Sequence, residues 1–201
     1  RQRGQAFLRF DYTGHGQSSG AFEDGTIGQW AEDAIHALDT LSDGPQVLVG
    51  SSMGGWIMLL TALARLDRVV GLVGTAAAPD FTEDLMLREL TPDQIQQIET
   101  QGFTEIPNCY DEEPYKITKA LLDDGRNHLL LNAEIPLDCP VRLIHGDKDE
   151  DVPWQTSLRI ADALRTSDVE TLLVKNGDHR LSEPHDLNRL CRTVERLLDQ
   201  L

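Results

Sequence analysis

The segment Val47–Leu60 constrains the fold of this chain more than any other. It begins with a short apolar β-branched run, passes through small residues around Ser52, and continues into an apolar stretch long enough for a buried helix. This order predicts a strand, a tight turn and a helix. Gly50 and Gly54 flank the serine in a G-x-S-x-G pattern, which holds a serine hydroxyl at a sharp corner above a sheet. We expect a Cβ at either glycine to collide with neighbouring atoms.

Strand-like and helix-like segments alternate along most of the chain. This alternation predicts a mostly parallel sheet covered by helices on both faces. Between residue 80 and about residue 137 it breaks down, which predicts a helical cap inserted over the sheet within a single domain of residues 1–201, whose core is 1–79 and 138–201. The expected strands are 6–11, 46–50, 69–74, 141–145 and 169–174, and the expected helices are 26–41, 53–65, 92–100, 116–123, 156–164 and 186–201.

The composition argues against several classes of function. The sequence has 34 acidic and 18 basic residues and a formal net charge of −16, whereas proteins that bind nucleic acid concentrate Lys and Arg on one face. No apolar stretch reaches the roughly 18 residues that a membrane span needs, so we expect no stable membrane insertion. Cys109, Cys139 and Cys191 are too few and too scattered for a disulfide framework or a zinc site, which indicates a reducing compartment.

Three loops that follow expected strands carry residues of catalytic type. Ser52 lies in the sharp turn, several aspartates follow the strand at 141–145, and His179 follows the last strand. Since the carboxyl ends of parallel strands meet at one edge of a sheet, we expect these loops to lie together. A serine needs an imidazole to take its proton and a carboxylate to orient that imidazole. The chain order Ser, Asp, His therefore predicts nucleophilic catalysis.

Three motifs resemble those of the α/β-hydrolase family. They are the D-x-x-G-x-G-x-S loop of residues 11–18, the turn of residues 50–54, and the H-G-x-x-D-x-x-V-P loop of residues 145–153. The resemblance implies an α/β-hydrolase fold and a serine esterase or thioesterase. More narrowly, residues 44–56 and 152–154 are similar to mitochondrial hydrolases that remove palmitoyl groups from protein cysteines and cleave acyl glucuronides, and to their bacterial relatives.

The resemblance also implies the roles of individual residues. Ser52 is the expected nucleophile, Asp149 the acid and His179 the base, and the N–H of Met53 is one donor of the oxyanion hole. The family places a second donor and a central strand in a segment that we expect to precede Arg1, so this chain should be less active than a longer one. The resemblance implies no metal and no dissociable cofactor.

Each of these assignments has rivals. Ser51 neighbours Ser52, but only Ser52 has glycine at both flanking positions. Asp147 and Asp151 compete with Asp149, which the spacing of its loop favours. The other histidines are His15, His36, His128, His145 and His185; the pattern around them predicts helix-surface positions for His36 and His128, and strand-end packing for His145.

The pocket, the exact reaction and the compartment are less constrained. The candidate substrate-binding residues are Trp56, Phe81, Leu85, Met86 and Phe103, and each of the insertion's apolar residues could equally anchor the insertion. The acyl chain length and the leaving group stay open. Haloperoxidase or C–C hydrolase chemistry and a non-catalytic member of the fold are the alternatives. We expect a bacterial cytoplasmic protein, or a mitochondrial matrix protein in a eukaryote.

Overall fold

Four parallel strands form the central sheet of the computed structural model, which describes residues 4–107 and 114–201. Their order across the sheet is β1-β2-β5-β6, and the remaining two strands pair antiparallel in a separate ribbon. In chain order the strands are β1 (Gln46–Ser51), β2 (Val69–Thr75), β3 (Phe103–Ile106), β4 (Tyr115–Thr118), β5 (Val141–Gly146) and β6 (Val169–Val174).

Helices connect the strands, as the alternation in the sequence predicts. They are α1 (Ile27–Leu41), α2 (Met53–Ala64), α3 (Leu87–Glu89), α4 (Pro92–Gln101), α5 (Lys119–Gly125), α6 (Gln155–Ala163) and α7 (Pro184–Leu198). A π-helical turn, Thr82–Met86, leads into α3, and 3₁₀ turns cover Phe22–Asp24 and Arg126–His128. None of the helices in the described ranges is long and apolar enough to cross a membrane.

One row of apolar side chains crosses the whole sheet. Leu48, Leu72, Val141 and Val169 are register partners on successive strands, and they all belong to the core beneath α1, α2 and α6. Because side chains alternate between the two faces of a strand, the intervening residues face the other side. There α7 covers the sheet, and a Cβ added to Gly71 would lie 3.1 Å from Leu197. The predicted helices on both faces are therefore confirmed.

Capping interactions explain why two of the helices begin where the sequence predicts. The hydroxyl of Thr26 accepts a hydrogen bond from the N–H of Gln29 at the start of α1. At the start of α4, Thr91 and Gln94 form a capping box with Pro92 in the first turn, and Gly102 closes the helix in a left-handed conformation. These contacts satisfy N–H and C=O groups that a helix end leaves without partners.

The segment 6–11 does not form the strand that its alternating pattern predicts. It is irregular and exposed, and 83 % of the Phe7 side chain is accessible. A strand needs a neighbouring strand to accept and donate its backbone hydrogen bonds, and no described strand lies beside this segment. Local alternation of apolar and polar residues is not sufficient to form a strand.

The segment 80–137, which the sequence predicts to be a helical insertion, is also less helical than predicted. Lys116 and Thr118 belong to β4, which pairs with β3, and the helix expected from residue 116 begins only at Lys119. Tyr115, Ile117 and Thr118 are aromatic or β-branched and favour a strand once a partner is available. The insertion therefore combines short helices with a two-stranded ribbon. Cys109 and the acidic stretch 111–113 lie outside the described residues.

Asp80, at the start of the segment 80–137, is hydrogen-bonded to Leu130 and Leu131 near its end. Its two carboxylate oxygens accept hydrogen bonds from the N–H groups of Leu130 and Leu131, each at 2.8 Å. The side chain is buried, and burial raises the pKa of the carboxyl although the two N–H donors oppose that shift. The residue also has a positive φ of 62°, which aspartate tolerates better than most residues.

Replacing Asp80 with asparagine should destabilise the protein. An asparagine would tolerate the same backbone conformation, but its NH₂ group would face an N–H donor, and the lost hydrogen bond should cost about 1–3 kcal/mol of unfolding free energy. Asp84→Asn is the matched control, because Asp84 pairs with the largely exposed Arg88 and Arg159 and should cost at most about 1 kcal/mol. Urea denaturation measures both variants, and equal losses would contradict this account of Asp80.

Candidate active site

The backbone turns sharply at Ser52, between β1 and α2. Ser52 has φ 52° and ψ −123°, a conformation that is rare for any residue other than glycine. Its N–H donates to the carbonyl of Thr75, and its own carbonyl accepts from Gly55 and Ala78. Strain of this kind costs about 1–3 kcal/mol and persists only where surrounding contacts impose it. Thr75 at the end of β2 and Ala78 in the loop that follows supply two of those contacts.

The glycines around Ser52 have different steric roles. A Cβ at Gly50 would lie 2.3 Å from the carbonyl oxygen of Gly54, and one at Gly55 would lie 2.4 Å from the Cβ of Ala77. A Cβ at Gly54 would meet no atom nearer than the Tyr12 hydroxyl, at 4.0 Å. The expected collision is therefore confirmed at Gly50. It is wrong at Gly54, because a Cβ added there would point into open space.

The carboxylate of Asp149 is the most heavily hydrogen-bonded group at this edge of the sheet. Its side chain has no exposed surface. One oxygen, Oδ1, accepts from the N–H groups of Asp151 at 3.0 Å and Val152 at 2.8 Å. The other oxygen, Oδ2, lies 2.8 Å from Nδ1 of His179 and 3.0 Å from Nε2 of His145. Asp149 is thus held from both sides.

The two rival aspartates are used differently. Asp147 accepts a hydrogen bond from the N–H of Asn176 and so joins the loops that follow β5 and β6. Asp151 is exposed and donates its own N–H to Asp149. Of the three acids, Asp149 is the one whose carboxylate is hydrogen-bonded to His179.

His179 connects this carboxylate to the serine. Its Nε2 lies 3.0 Å from Oγ of Ser52, and its ring retains 17 % exposure. Because a carboxylate only accepts hydrogen bonds, Nδ1 must carry the proton that faces Asp149. In the neutral ring Nε2 is then the acceptor for the serine hydroxyl. The arrangement can remove a proton from Ser52 and orient the ring that receives it.

The same contacts shift the pKa values of Asp149 and His179. Burial alone would raise the pKa of Asp149, but hydrogen bonds from His145, His179 and Val152 hold it well below its usual range. The hydrogen bond to Asp149 raises the pKa of His179, with burial opposing and the nearby negative charges of Asp149, Asp151 and Asp178 adding to the increase. The site therefore pairs an ionised carboxylate with an imidazole of raised basicity.

Three of the other histidines have structural partners, and a fourth is exposed on α1. The ring of His15 packs edge-on against Phe22 and Trp30, and His36 is exposed on α1 as predicted. His128 is half-buried: its carbonyl accepts from the Trp56 indole, and its ring lies 3.5 Å from Asp124. His185 lies 3.5 Å from the carboxylate of Asp186 near the start of α7.

His145 is the residue that sequence reasoning underestimates. It is fully buried at the end of β5, as strand-end packing predicts, yet both of its ring nitrogens have polar partners. Nδ1 lies 2.7 Å from Oγ of Ser157, and Nε2 lies 3.0 Å from both Asp149 and the carbonyl of Val152. The signal was its place as the first residue of the H-G-x-x-D pattern, four residues before the acid.

The loop of residues 11–20 packs close to the turn. Gln17 donates its N–H to the carboxylate of Asp11, and the Trp30 indole donates to the carbonyl of Thr13. Tyr12 is the residue that reaches the turn, and burial, followed by the charge of Asp33, raises its pKa to about 12. Its hydroxyl is therefore neutral at physiological pH.

Four of the five candidate pocket residues lie in the core, against it or in the ribbon. Trp56 is fully buried, its ring packs edge-on against Phe81, and its indole N–H is bonded to the backbone, so it offers no surface to a substrate. Phe103 lies in the ribbon, with the Lys116 ammonium 5.5 Å from its ring centroid. Phe81 and Met86 are partly buried against the core that contains Trp56.

A cleft of about 120 Å³ separates the insertion from the acid loop and α6. Leu85 and Ala78 both line this cleft, and the N–H of Ala78 donates to the Ser52 carbonyl. Arg88 and Arg159 lie on the same cleft, and both pair with Asp84. Of the five candidates, Leu85 is the one that lines this space.

The side chains of Asp149, Asp151 and His179 are the group among the described residues whose spacing suits a metal ion, with ligand atoms within 4.8 Å of one another. The oxygens of Asp149 already accept four hydrogen bonds, two of them from imidazole rings. A metal would have to displace those donors. The donor set fits a hydrogen-bonded carboxylate better than a metal centre.

Residues 1–190 match the α/β hydrolase family. The mitochondrial palmitoyl-protein thioesterase ABHD10 of Homo sapiens is 42 % identical over 199 residues, which is 98 % of this chain and 65 % of the human protein. The chain thus spans slightly less than two thirds of that relative. The curated relatives of this group are named as mitochondrial, so they do not support the expected bacterial cytoplasm.

Two solved structures are similar in both sequence and fold. The α/β hydrolase domain-containing protein 10 from mouse superimposes with a TM-score of 0.90 at 42 % identity and covers 99 % of this chain and 80 % of its own. A hydrolase from Agrobacterium vitis S4 gives a TM-score of 0.88 at 42 % identity, covering 94 % and 75 %. The predicted α/β-hydrolase fold is confirmed by these matches.

Exchanging each flanking glycine for alanine should separate their roles. Gly50→Ala forces a Cβ onto the carbonyl oxygen of Gly54 and should lower the unfolding free energy by about 1–3 kcal/mol or more. Gly54→Ala meets open space in the first turn of α2 and should leave stability unchanged or raise it by up to about 1 kcal/mol. Thermal and urea denaturation measure the difference, and similar losses in the two variants would refute it.

Proposed function

The chain belongs to the α/β-hydrolase family, and we propose that it is a serine hydrolase that cleaves acyl thioesters or carboxylic esters. The observation that carries this proposal is the continuous chain of hydrogen-bonding contacts from Ser52 through His179 to Asp149, at 3.0 and 2.8 Å. Ser52 is the nucleophile, His179 the general base and Asp149 the acid that orients the base. The turn at Ser52 presents the hydroxyl at the carboxyl edge of the sheet.

Acylation begins with neutral His179. Its Nε2 accepts the proton of Ser52 while Oγ attacks the acyl carbonyl carbon, and the carbonyl oxygen becomes negatively charged. Asp149 stabilises the imidazolium that forms, without taking its proton. The imidazolium then donates the proton to the departing thiol or alcohol as its bond to the acyl carbon breaks. A thiol is the easier leaving group, because its pKa of about 8.5 is far below that of an alcohol.

Deacylation repeats the sequence with water. His179 takes a proton from water, the hydroxide oxygen attacks the acyl-enzyme, and Ser52 recovers its proton as the carboxylic acid leaves. The oxyanion of each tetrahedral intermediate needs backbone donors. Met53 is the first residue of α2, where helix N–H groups lack an intrahelical acceptor, and we assign its N–H to this role.

The substrate of this reaction is an acyl group of substantial apolar surface. Support comes from Leu85 on the cleft beside the acid loop and from relatives named palmitoyl-protein thioesterase. We propose that the insertion acts as the cap over a core formed by residues 1–79 and 138–201. Depalmitoylation is the specific activity that these observations favour, and a mitochondrial compartment is the one that the names of the relatives favour.

Ser52→Ala should abolish both labelling by a fluorophosphonate probe and hydrolysis of acyl thioesters and esters, since it removes the oxygen that faces Nε2 of His179. Ser51→Ala is the matched control, because Ser51 is the adjacent residue in β1, whereas Nε2 of His179 meets Oγ of Ser52. It should keep labelling and turnover within a few-fold of the wild type. A Ser52→Ala protein that still labels would reject this nucleophile, and a wild-type protein that neither labels nor hydrolyses any of these substrates would favour a non-catalytic role.

Hydrolysis should fall as the pH decreases through the pKa of His179, because the protonated ring cannot accept the serine proton. Since that pKa is raised, the midpoint of kcat/KM should lie above about 6.5. Asp149→Asn removes the main cause of the increase, so the midpoint should move to lower pH while kcat falls by roughly 10⁴. Asp151→Asn removes only a weaker charge contribution and should shift the midpoint less. A midpoint unchanged in Asp149→Asn would contradict the assignment.

A further inference from the structure

Oδ2 of Asp149 is shared by two histidines, and only one of them faces the serine. His179 approaches it at 2.8 Å and His145 at 3.0 Å. His145 is completely buried, and its other nitrogen meets Ser157 on α6. The contacts therefore continue beyond the acid, from Ser52 through His179, Asp149 and His145 to Ser157.

The partners of His145 determine where its proton lies. Nε2 faces the carboxylate of Asp149 and the carbonyl of Val152, which only accept hydrogen bonds. Nε2 must therefore carry a proton. In the neutral ring Nδ1 is then an acceptor, and the Ser157 hydroxyl at 2.7 Å is the group that donates to it. Asp149 and Val152 thus impose the tautomer, and the hydroxyl that donates to Nδ1 polarises the Nε2–H group on the other side of the ring.

We propose that His145 is a positioning residue that holds the Asp149 carboxylate and shares its negative charge, and that Ser157 strengthens this contact by donating to Nδ1 and so polarising the Nε2–H donor. The expected change in kcat/KM rests on the proposed serine hydrolase function. The expected shift in the pKa of His179 does not rest on it. The proposal explains why a polar side chain is retained at a fully buried position of β5, where an apolar one would pack without any need for partners.

Because two imidazoles share the negative charge of Asp149, the direction in which the pKa of His179 moves on losing one of them can be predicted. A carboxylate that loses one N–H donor concentrates more negative charge toward its remaining partner, and so stabilises the imidazolium of His179 more strongly. The acidic groups that act on His179 are Asp149, Asp151 and Asp178. On α6 the group that meets His145 is the uncharged Ser157, so removing its hydroxyl changes no charge directly. The lowered pKa of Asp149, to which the His145 hydrogen bond contributes, supports this picture.

Ser157→Ala is the deciding variant, because it removes one buried hydroxyl and leaves every charged group in place. We expect the pKa of His179, followed by NMR titration of its ring and assigned with His179→Gln, to rise by a few tenths of a unit to about one unit. The acid limb of kcat/KM should move to higher pH by the same amount. Thr61→Val is the matched control: it also removes a buried helical hydroxyl, one that bonds only to the carbonyl of Ile57 as far as the described contacts show, and it should leave the His179 pKa unchanged.

Two substitutions of His145 complete the test. His145→Leu removes the donor and should shift the His179 pKa upward at least as far as Ser157→Ala does. His145→Gln keeps an N–H group near the position of Nε2 and should restore a value close to that of the wild type. If Ser157→Ala and every folded His145 variant titrate like Thr61→Val, whatever their stability, the role of His145 is packing alone and the proposal is wrong. Should His145→Leu fail to fold, Ser157→Ala decides by itself.

The failure of this inference is distinguishable from the failure of the proposed function. A wild-type protein without hydrolytic activity would reject the function, and the NMR titration of His179 would still report on His145 and Ser157. Conversely, an active enzyme whose His179 titration is unchanged in Ser157→Ala and in every folded His145 variant would reject only the positioning role.

Discussion

A buried carboxylate is the constraint on which the rest of this site depends. Asp149 has no exposed surface, and an ionised group in that position is tolerated only if hydrogen bonds replace the water that it has lost. Its four donors come from β5, from its own loop and from the loop after β6. Satisfying one charge therefore brings together three parts of the chain, and the imidazole that faces Ser52 is one of those donors.

The strained turn at Ser52 is held in place by backbone hydrogen bonds and not by a charged group. The carbonyl of Thr75 at the end of β2 and the N–H of Ala78 in the loop that follows hold the main chain at a positive φ, with no charged group involved. The serine is thus fixed by backbone geometry, whereas the acid and the histidine are fixed by electrostatics. The two halves meet across one contact of 3.0 Å between Ser52 and His179.

The sequence was informative wherever local pattern and tertiary environment agreed. The strand, turn and helix around Ser52, the capped starts of α1 and α4, and the parallel sheet all follow from residues that favour those structures in any context. The segment 6–11 and the start of α5 were predicted wrongly because their structures depend on whether a partner strand is present. His145 was underestimated for a related reason: no spacing rule shows that a buried ring has a polar partner on each side. Gly54 shows the reverse case, in which a motif position does not carry the steric role expected of it.

The row of register partners from Leu48 to Val169 also determines how closely the proposed catalytic side chains approach one another. Ser52, Asp149 and His179 hang from the carboxyl ends of three different strands of one sheet. A slip of one residue in any strand would move its end by about 3.3 Å and reverse which side chains face the core. That displacement exceeds the whole range over which a hydrogen bond forms. The packing of the leucine and valine side chains in this row therefore sets the strand register. The register in turn sets the distance between the serine oxygen and the imidazole nitrogen.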